Sequence, residues 1–461
     1  MRSFRRGLQL LCALLALSAA PWAAAASDAV EDKLANGLRV IVKPDRRAPV
    51  AVMLLLYKVG SVDEVTGVTG VAHVLEHMMF KGTASVPAGE YSRLIAAAGG
   101  RDNAFTSNDL TGYFAALQKS ELELALRLEA DRMANLTLSP EEFAKEIKVV
   151  MEERRLRTDD RPRSLVYEQL MAAALTAHPY RNPIIGWMND LENMRVEDAR
   201  EFYRHWYAPD NATLIVVGDV DPAQVVALAG KHFGGIPSRS LPVRKPQEEP
   251  PQLGAKRVTV KAPAELPYVM MVFRAPALRD AERDTEPYAL EMLAAVLDGS
   301  QAARLNRTLV RKERIASAAD AGYDGIARGS GFFYLSATPT PGKSAAEVEA
   351  GLRREMAKII EHGVTQEELE RAKAQAVAQH VYERDSMLAQ ARQIASLEAA
   401  GISHRTVDLQ LRKLREVTAE QVRDVARKYF RDDALTIATL DPQPLAGVKR
   451  KPPPPGLKHV Q

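Results

Sequence analysis

The sequence predicts an α+β protein of two homologous domains, each a largely antiparallel sheet with helices packed on one face. Three observations lead there. Short apolar runs of strand character alternate with long segments of helical period. A proline- and charge-rich stretch without apolar period divides the chain near its middle. The segments on either side of that stretch repeat one another weakly.

The strand candidates are residues 38–42, 51–57, 110–117, 257–260, 268–273 and 331–337, each a short run rich in apolar residues. Long helical patterns lie between and after them. The divider runs from Gly234-Gly235-Ile236-Pro237 to Pro250-Pro251-Gln252-Leu253-Gly254 and reads as an interdomain linker, residues 236–254. The repeat is clearest at the end of each half. Val196-Glu197-Asp198-Ala199-Arg200-Glu201-Phe202-Tyr203 leads to the apolar run Leu214-Ile215-Val216-Val217 and then Asp221-Pro222. Its counterpart runs from Ala419-Glu420-Gln421-Val422-Arg423-Asp424-Val425-Ala426 to Leu435-Thr436-Ile437-Ala438 and Asp441-Pro442. Both are an amphipathic helix, a polar turn, a strand and an Asp-Pro turn. A second pairing sets Leu138-Ser139-Pro140-Glu141-Glu142-Phe143 beside Val364-Thr365-Gln366-Glu367-Glu368-Leu369, each opening a helix behind a Ser or Thr cap. The offset of about 220 residues is a domain-sized period, not that of a solenoid. The expected domains are therefore residues 27–235 and 255–447, with a proline-rich tail at 448–461.

Residues 1–26 read as a secretory signal peptide. Arg2, Arg5 and Arg6 form the positive region, residues 7–20 the apolar core, and Ala23-Ala24-Ala25-Ala26 the small-residue cleavage end. An uncleaved membrane anchor is the rival, since the apolar core nearly reaches spanning length; Pro21 and the alanines favour cleavage. The mature chain is then periplasmic or secreted, and no other stretch approaches a membrane span. Loss of the three leader arginines leaves 59 basic against 59 acidic residues. That balance removes the electrostatic case for nucleic acid or an anionic membrane as main partner. The single cysteine is Cys12, in the leader, so the mature chain has no disulfide, thiolate metal site or cysteine nucleophile.

The chemistry points to His73-Val74-Leu75-Glu76-His77. Residues 71–80 follow a glycine-bearing turn and meet no breaker before Gly82, so they read as helix. One turn apart on that helix, His73 and His77 share a face and can meet one ion. Zinc takes such nitrogen ligands, and a catalytic zinc site uses three protein ligands and leaves a position open. Glu76 borders the same face, placed to take a proton from water that zinc acidifies. Met78, Met79 and Phe80 make one side of this helix apolar, where unpaired histidines and a carboxylate would be costly to bury. A third ligand has to come from elsewhere. The helix expected over 138–157 carries Glu146, Glu152 and Glu153; Glu146 and Glu153 lie two turns apart on one face, and Glu152 points roughly 100° away.

The run Gly70-Val71-Ala72-His73-Val74-Leu75-Glu76-His77-Met78-Met79-Phe80-Lys81-Gly82-Thr83 resembles the inverted zinc motif of the pitrilysin family, which includes insulin-degrading enzyme and mitochondrial processing peptidase. Glu146-Ile147-Lys148-Val149-Val150-Met151-Glu152-Glu153, Asn103-Ala104-Phe105-Thr106-Ser107 and His178-Pro179-Tyr180 are also similar to family segments. The resemblance implies a zinc-dependent endopeptidase with one zinc per chain, held by His73, His77 and Glu153, with Glu76 as base and Glu146 as supporting acid. It makes 27–235 the zinc-peptidase domain and the chain half of a four-domain clamshell that encloses peptides or unfolded segments. Substrate would add as a strand near Asn103, Ala104 and Phe105, with Phe80 lining a side-chain pocket. His178 is an alternative ligand, but its Pro-Tyr context reads as a structural turn.

One departure stands out. The family's opposite half supplies an Arg and a Tyr seven residues apart, which the resemblance places at Arg311 and Ala318; the nearest tyrosine is Tyr323. The expected partner is therefore a homologous subunit bearing that pair, a heterodimer, with a homodimer as the alternative. A non-catalytic assembly or peptide-binding subunit of the same fold is the rival function. Against it, all four of His73, Glu76, His77 and Glu153 stand in place.

Overall fold

The computed structural model describes residues 29–445. The expected leader, with Cys12, and the proline-rich tail lie outside the described residues.

The first half builds a six-stranded sheet from β1 (Val30–Lys33), β2 (Arg39–Pro44), β3 (Val50–Tyr57), β4 (Arg101–Thr106), β5 (Thr111–Gln118) and β6 (Ala212–Gly218). Their spatial order is β1-β2-β6-β3-β5-β4. The second half builds a five-stranded sheet from β7 (Lys256–Pro263), β8 (Tyr268–Ala275), β9 (Ala316–Asp324), β10 (Gly331–Pro339) and β11 (Leu435–Gln443), ordered β7-β11-β8-β10-β9. Without β1 the two orders are the same, and each sheet has one parallel pair, β2 with β6 and β7 with β11. All other pairings are antiparallel. The repeat read from two helix–strand pairs thus extends to the topology of both sheets. Strands β1, β4 and β9 were not among the sequence-based expectations. All three lie at sheet edges, where fewer side chains are buried and the apolar signal is weak.

Four helices matter below: α1 (Val71–Met78), α2 (Pro140–Arg154), α3 (Pro162–Ala174) and α4 (Met387–Ala399). Helices of the first half pack on one face of its sheet, where Met53, Leu55, Tyr57, Tyr113 and Val216 meet Val71, Leu75 and Met78 of α1. The opposite face, formed by Ile41, Val52, Leu54, Leu56 and Ile215, is covered from the second half by Ala391, Ile394, Ala395 and Ala399 of α4. The converse also holds. Val166, Leu170, Met171 and Ala174 of α3, a helix of the first half, pack on Val260, Met270, Val272, Ala438 and Leu440 of the second sheet. Each half lends one helix to the far face of the other's sheet. This explains why β3 and β6 are apolar without alternation: they are buried on both faces.

Residues 237–255 carry no helix or strand except bends and the approach to β7. They are nonetheless tied down. Arg244 pairs with Asp63 at 2.7 Å, and the Glu249 carboxylate accepts the backbone N–H groups of Thr176, Ala177 and His178.

Candidate metal centre and active site

Helix α1 starts at a fixed point. Gly70 at its N-cap has φ +90°, and a Cβ there would lie 2.5 Å from the Ile185 carbonyl oxygen, so the turn admits glycine alone. The buried Glu64 carboxylate accepts the N–H groups of Gly70 and Ala72 at 2.8 and 2.9 Å, satisfying donors the helix itself leaves open. Burial, more than those bonds, governs its acidity and pushes the carboxyl up to about 8. From this start His73 and His77 fall on one face, their ring centroids 4.7 Å apart.

Helix α2 is capped by Ser139, whose hydroxyl accepts the Glu142 N–H. Its buried stripe is Phe143, Glu146, Val150 and Glu153, the 3-4-3 spacing of one helical face. Glu152 lies off that stripe and pairs with Arg155 at 3.0 Å. Glu153 is 2 % exposed, its Oε2 3.3 Å from His77 Nε2 and its Oε1 3.8 Å from His73 Nε2. One ligand atom from each of His73, His77 and Glu153 can be chosen so that all lie within 4.8 Å of one another. His77 Nδ1 meets Glu146 Oε1 at 2.9 Å, and the other Glu146 oxygen pairs with Lys81.

The residues fit a zinc ion on their own evidence. Glu153 Oε2 and His73 Nδ1 are buried and have no hydrogen-bond partner, an expensive arrangement for a site meant to stay metal-free. Two imidazoles and one carboxylate are a donor set zinc takes in catalytic sites. For His73 the electrostatics agree; for His77 they describe the charged ring, whose Nε2 proton a metal would replace. Burial, aided by His77, holds the His73 imidazole down at about 3, so it is neutral with a lone pair to give. Burial opposes the charge on His77 too, but contact with Glu146 and Glu153 outweighs it and pushes that ring up to about 9. Burial likewise opposes ionisation of Glu153, yet its contact with His77 and the nearby positive charges hold the carboxyl below the usual range.

Glu76 is 7 % exposed and accepts a hydrogen bond from the Thr106 hydroxyl. Burial chiefly raises its carboxyl above the ordinary range, the direction that suits a group taking up a proton. Glu76, His73 and Glu153 open together on a cavity of about 350 Å³, walled by Ala104, Phe105 and Thr106 of β4, by Arg157 and Tyr167, and by the 180–185 segment.

Not every residue expected at the site lines this cavity. Ala104 and Phe105 do, on β4, the edge strand that pairs only with β5 among the described residues. Asn103 precedes them, its side-chain oxygen accepting the Ala104 N–H. The Phe105 ring lies over Gly112, where a Cβ would meet it at 2.8 Å. Phe80 lies outside the cavity wall, half-buried against the core, with the Arg132 guanidinium 5.0 Å from its ring and Tyr91 edge-on to it. His178 is not in the metal cluster; its Nδ1 accepts the Tyr180 N–H, as a structural turn requires. In the second half, Arg311 lies in a π-helical turn (Asn306–Lys312) and donates to Gln301. Ala318 and Tyr323 both lie on β9, and the Tyr323 hydroxyl donates to the Pro276 carbonyl. Sequence reasoning missed Glu64, Lys81, Thr106 and Arg157. Arg157 had a signal, four residues after Glu153 on a helix; Glu64 had none, because its partners are backbone N–H groups.

Two family profiles match the chain in tandem. The one described as "Insulinase (Peptidase family M16)" matches residues 39–187, and the one described as "Peptidase M16 inactive domain" matches residues 193–376. The zinc protease PqqE of Helicobacter pylori is 33% identical over 414 residues, which cover 89% of this chain and 92% of that protein. The crystal structure of a protease from Helicobacter pylori superposes with a TM-score of 0.85 at 31% identity, covering 90% of this chain and 100% of that one. The periplasmic protease PqqL of Escherichia coli shares the fold, with a TM-score of 0.75 at 20% identity; the match covers 90% of this chain and 48% of that one.

Proposed function

The chain belongs to the M16 peptidase family, whose relatives here are named zinc proteases, and we propose that it is itself a zinc-dependent endopeptidase acting on peptides or unfolded segments. The observation that carries this reading is the convergence of His73, His77 and Glu153 beside Glu76, with His73, Glu76 and Glu153 lining one cavity. His73, His77 and Glu153 would hold the ion. Bound there, zinc would supply Lewis acidity toward the scissile carbonyl and the attacking water.

The remaining chemistry is done by side chains. Glu76 takes the proton of the attacking water and later delivers it to the leaving amine. Its carboxyl is suited to both steps because burial has raised its proton affinity. Thr106 keeps the carboxylate aimed from the edge strand. Glu146 accepts the Nδ1–H of His77, which fixes the tautomer and leaves Nε2 free as donor. A peptide can pair with the open edge of β4 at Asn103, Ala104 and Phe105, bringing its backbone past Glu76. A folded protein cannot offer a strand in that way. The proposed side-chain pocket at Phe80 has less support, since Phe80 does not wall the cavity.

The test separates ligand from base. Glu76→Gln should keep one zinc per chain and lower turnover by roughly 10² to 10⁴-fold, the usual worth of a general base. His73→Ala should lose the metal itself. Metal analysis with peptide cleavage measures both, and a wild-type chain that binds no zinc would end the proposal.

Pairing and export belong to the same reading. The chain spans about half of PqqL, which supports an enclosing assembly of two such chains, each contributing residues 27–235 and 255–447 about the 236–254 linker. Ala318 on β9 leaves this chain without the tyrosine expected opposite the zinc, so we favour a heterodimer with a homologous subunit that carries it. Activity should rise on mixing the two subunits; full activity of the chain alone, unchanged by Ala318→Tyr, would favour the homodimer. The 1–26 leader and the periplasmic relative support export, and among the described residues no helix is long and apolar enough to cross a membrane.

A further inference from the structure

Helix α2, which carries Glu153, does not end regularly. After Arg154 the chain widens into one π-helical turn, Arg155–Asp159, a form found often at functional sites. Here Arg157 and Thr158 of that turn lie on the wall of the metal-site cavity. Arg157 Nη1 meets Glu153 Oε1 at 2.9 Å. The two oxygens of Glu153 therefore face different neighbours. Oε1 is engaged by the guanidinium and lies 3.8 Å from His73 Nε2, whereas the buried Oε2, without a hydrogen-bond partner, faces His77 Nε2 at 3.3 Å.

We propose that Arg157 is a positioning residue that occupies Glu153 Oε1 so that Oε2 alone is offered to the metal. The inference rests on the zinc-peptidase reading above and adds a residue to it. A carboxylate can bind a metal through one oxygen or both. Binding through both would fill coordination space that water and the substrate carbonyl need. A guanidinium suits the task of restraint because it is always charged and holds a carboxylate oxygen in a fixed direction. With 38% of its side chain exposed, Arg157 does so without being stripped of solvent. Two other cations near the site are otherwise engaged, Lys81 with Glu146 and Arg181 with the Thr176 carbonyl.

The experiment uses the full mature chain as wild type, Arg157→Gln and Arg157→Met. Two readouts are taken: the zinc dissociation constant by chelator competition, and the visible spectrum of the cobalt(II)-substituted protein, whose band weakens as coordination number rises. Both variants should bind zinc at least as tightly as wild type, because a second oxygen joins and a neighbouring positive charge is gone. Their cobalt band should weaken as the second oxygen joins. The Met variant repeats the measurement with an apolar side chain, so the result does not hang on one variant folding. An unchanged cobalt spectrum overturns the inference, and so does weakened zinc binding in both variants, which would mean that Arg157 supports the ligand without setting how many oxygens it offers. A wild-type chain that binds no zinc instead overturns the peptidase reading.

Discussion

Glu152 and Glu153 are adjacent carboxylates with opposite fates, and exchanging either for alanine should separate them sharply. Glu153 is 2 % exposed and lies 3.3 and 3.8 Å from the two histidines. Glu152 points off the stripe and holds a surface ion pair with Arg155. Zinc in a four-ligand structural site is worth about 10–16 kcal/mol, so one ligand carries about 2.5–4 kcal/mol, or roughly 10² to 10³ in affinity. Glu153→Ala should lose about that much. Glu152→Ala gives up an exposed pair three residues apart, worth about 0.5 kcal/mol or less, and should bind zinc as wild type does. Chelator competition on both purified variants measures the difference, with far-ultraviolet circular dichroism to show that each is folded. Full zinc affinity in Glu153→Ala together with loss in Glu152→Ala would refute the assignment of the inward face.

Leu170 of α3 is fully buried between the halves, and Leu170→Ala should cost about 2–5 kcal/mol, read as a lower urea midpoint for the second sheet's signal. Glu64 gives a pH signature. Its folded carboxyl is raised from 4.5 to about 8, so the folded state holds a proton the unfolded state releases. That contribution to stability is complete below about pH 4.5 and is lost as pH rises through about 8. Glu64→Gln should therefore show a flatter decline in stability between those limits, measured by denaturant unfolding across the range.

The fold was legible where burial is two-sided and where the chain repeats. β3, β5 and β6 are apolar runs, and the helix–strand pairs ending each half match closely enough to reveal duplication. The exchange of α3 and α4 was not legible, because a helix pattern shows that a face is buried and not which sheet covers it. At the site, His73, His77, Glu76 and the Glu146–Glu153 stripe were readable from 3.6-residue spacing. Glu64 and Thr106 act through contacts that spacing does not show, backbone donors and an edge strand, whereas the Arg157 pair with Glu153 is local and its spacing was visible.

The second half has the same five-strand order as the first, yet between β8 and β9, where the first half's counterpart interval holds α1, it has the helix Glu286–Asp298, which contains no histidine. Its contribution to the site is mechanical, and three contacts show how. Arg328 pairs with both oxygens of Asp63 at 2.8 and 3.0 Å, next to the Glu64 that fixes the start of α1. The Arg328 backbone N–H reaches Asp109, in the turn joining β4 to β5. On α4, the Arg392 guanidinium lies 4.9 Å from the ring of Phe105 and 5.3 Å from that of Phe114, and Phe105 is the neighbour of the Thr106 that aims Glu76. A half with none of the proposed ligands thus contacts the segment before α1, the β4–β5 turn and the ring of Phe105 on the edge strand. It touches these elements around the ligands through a loop and its lent helix.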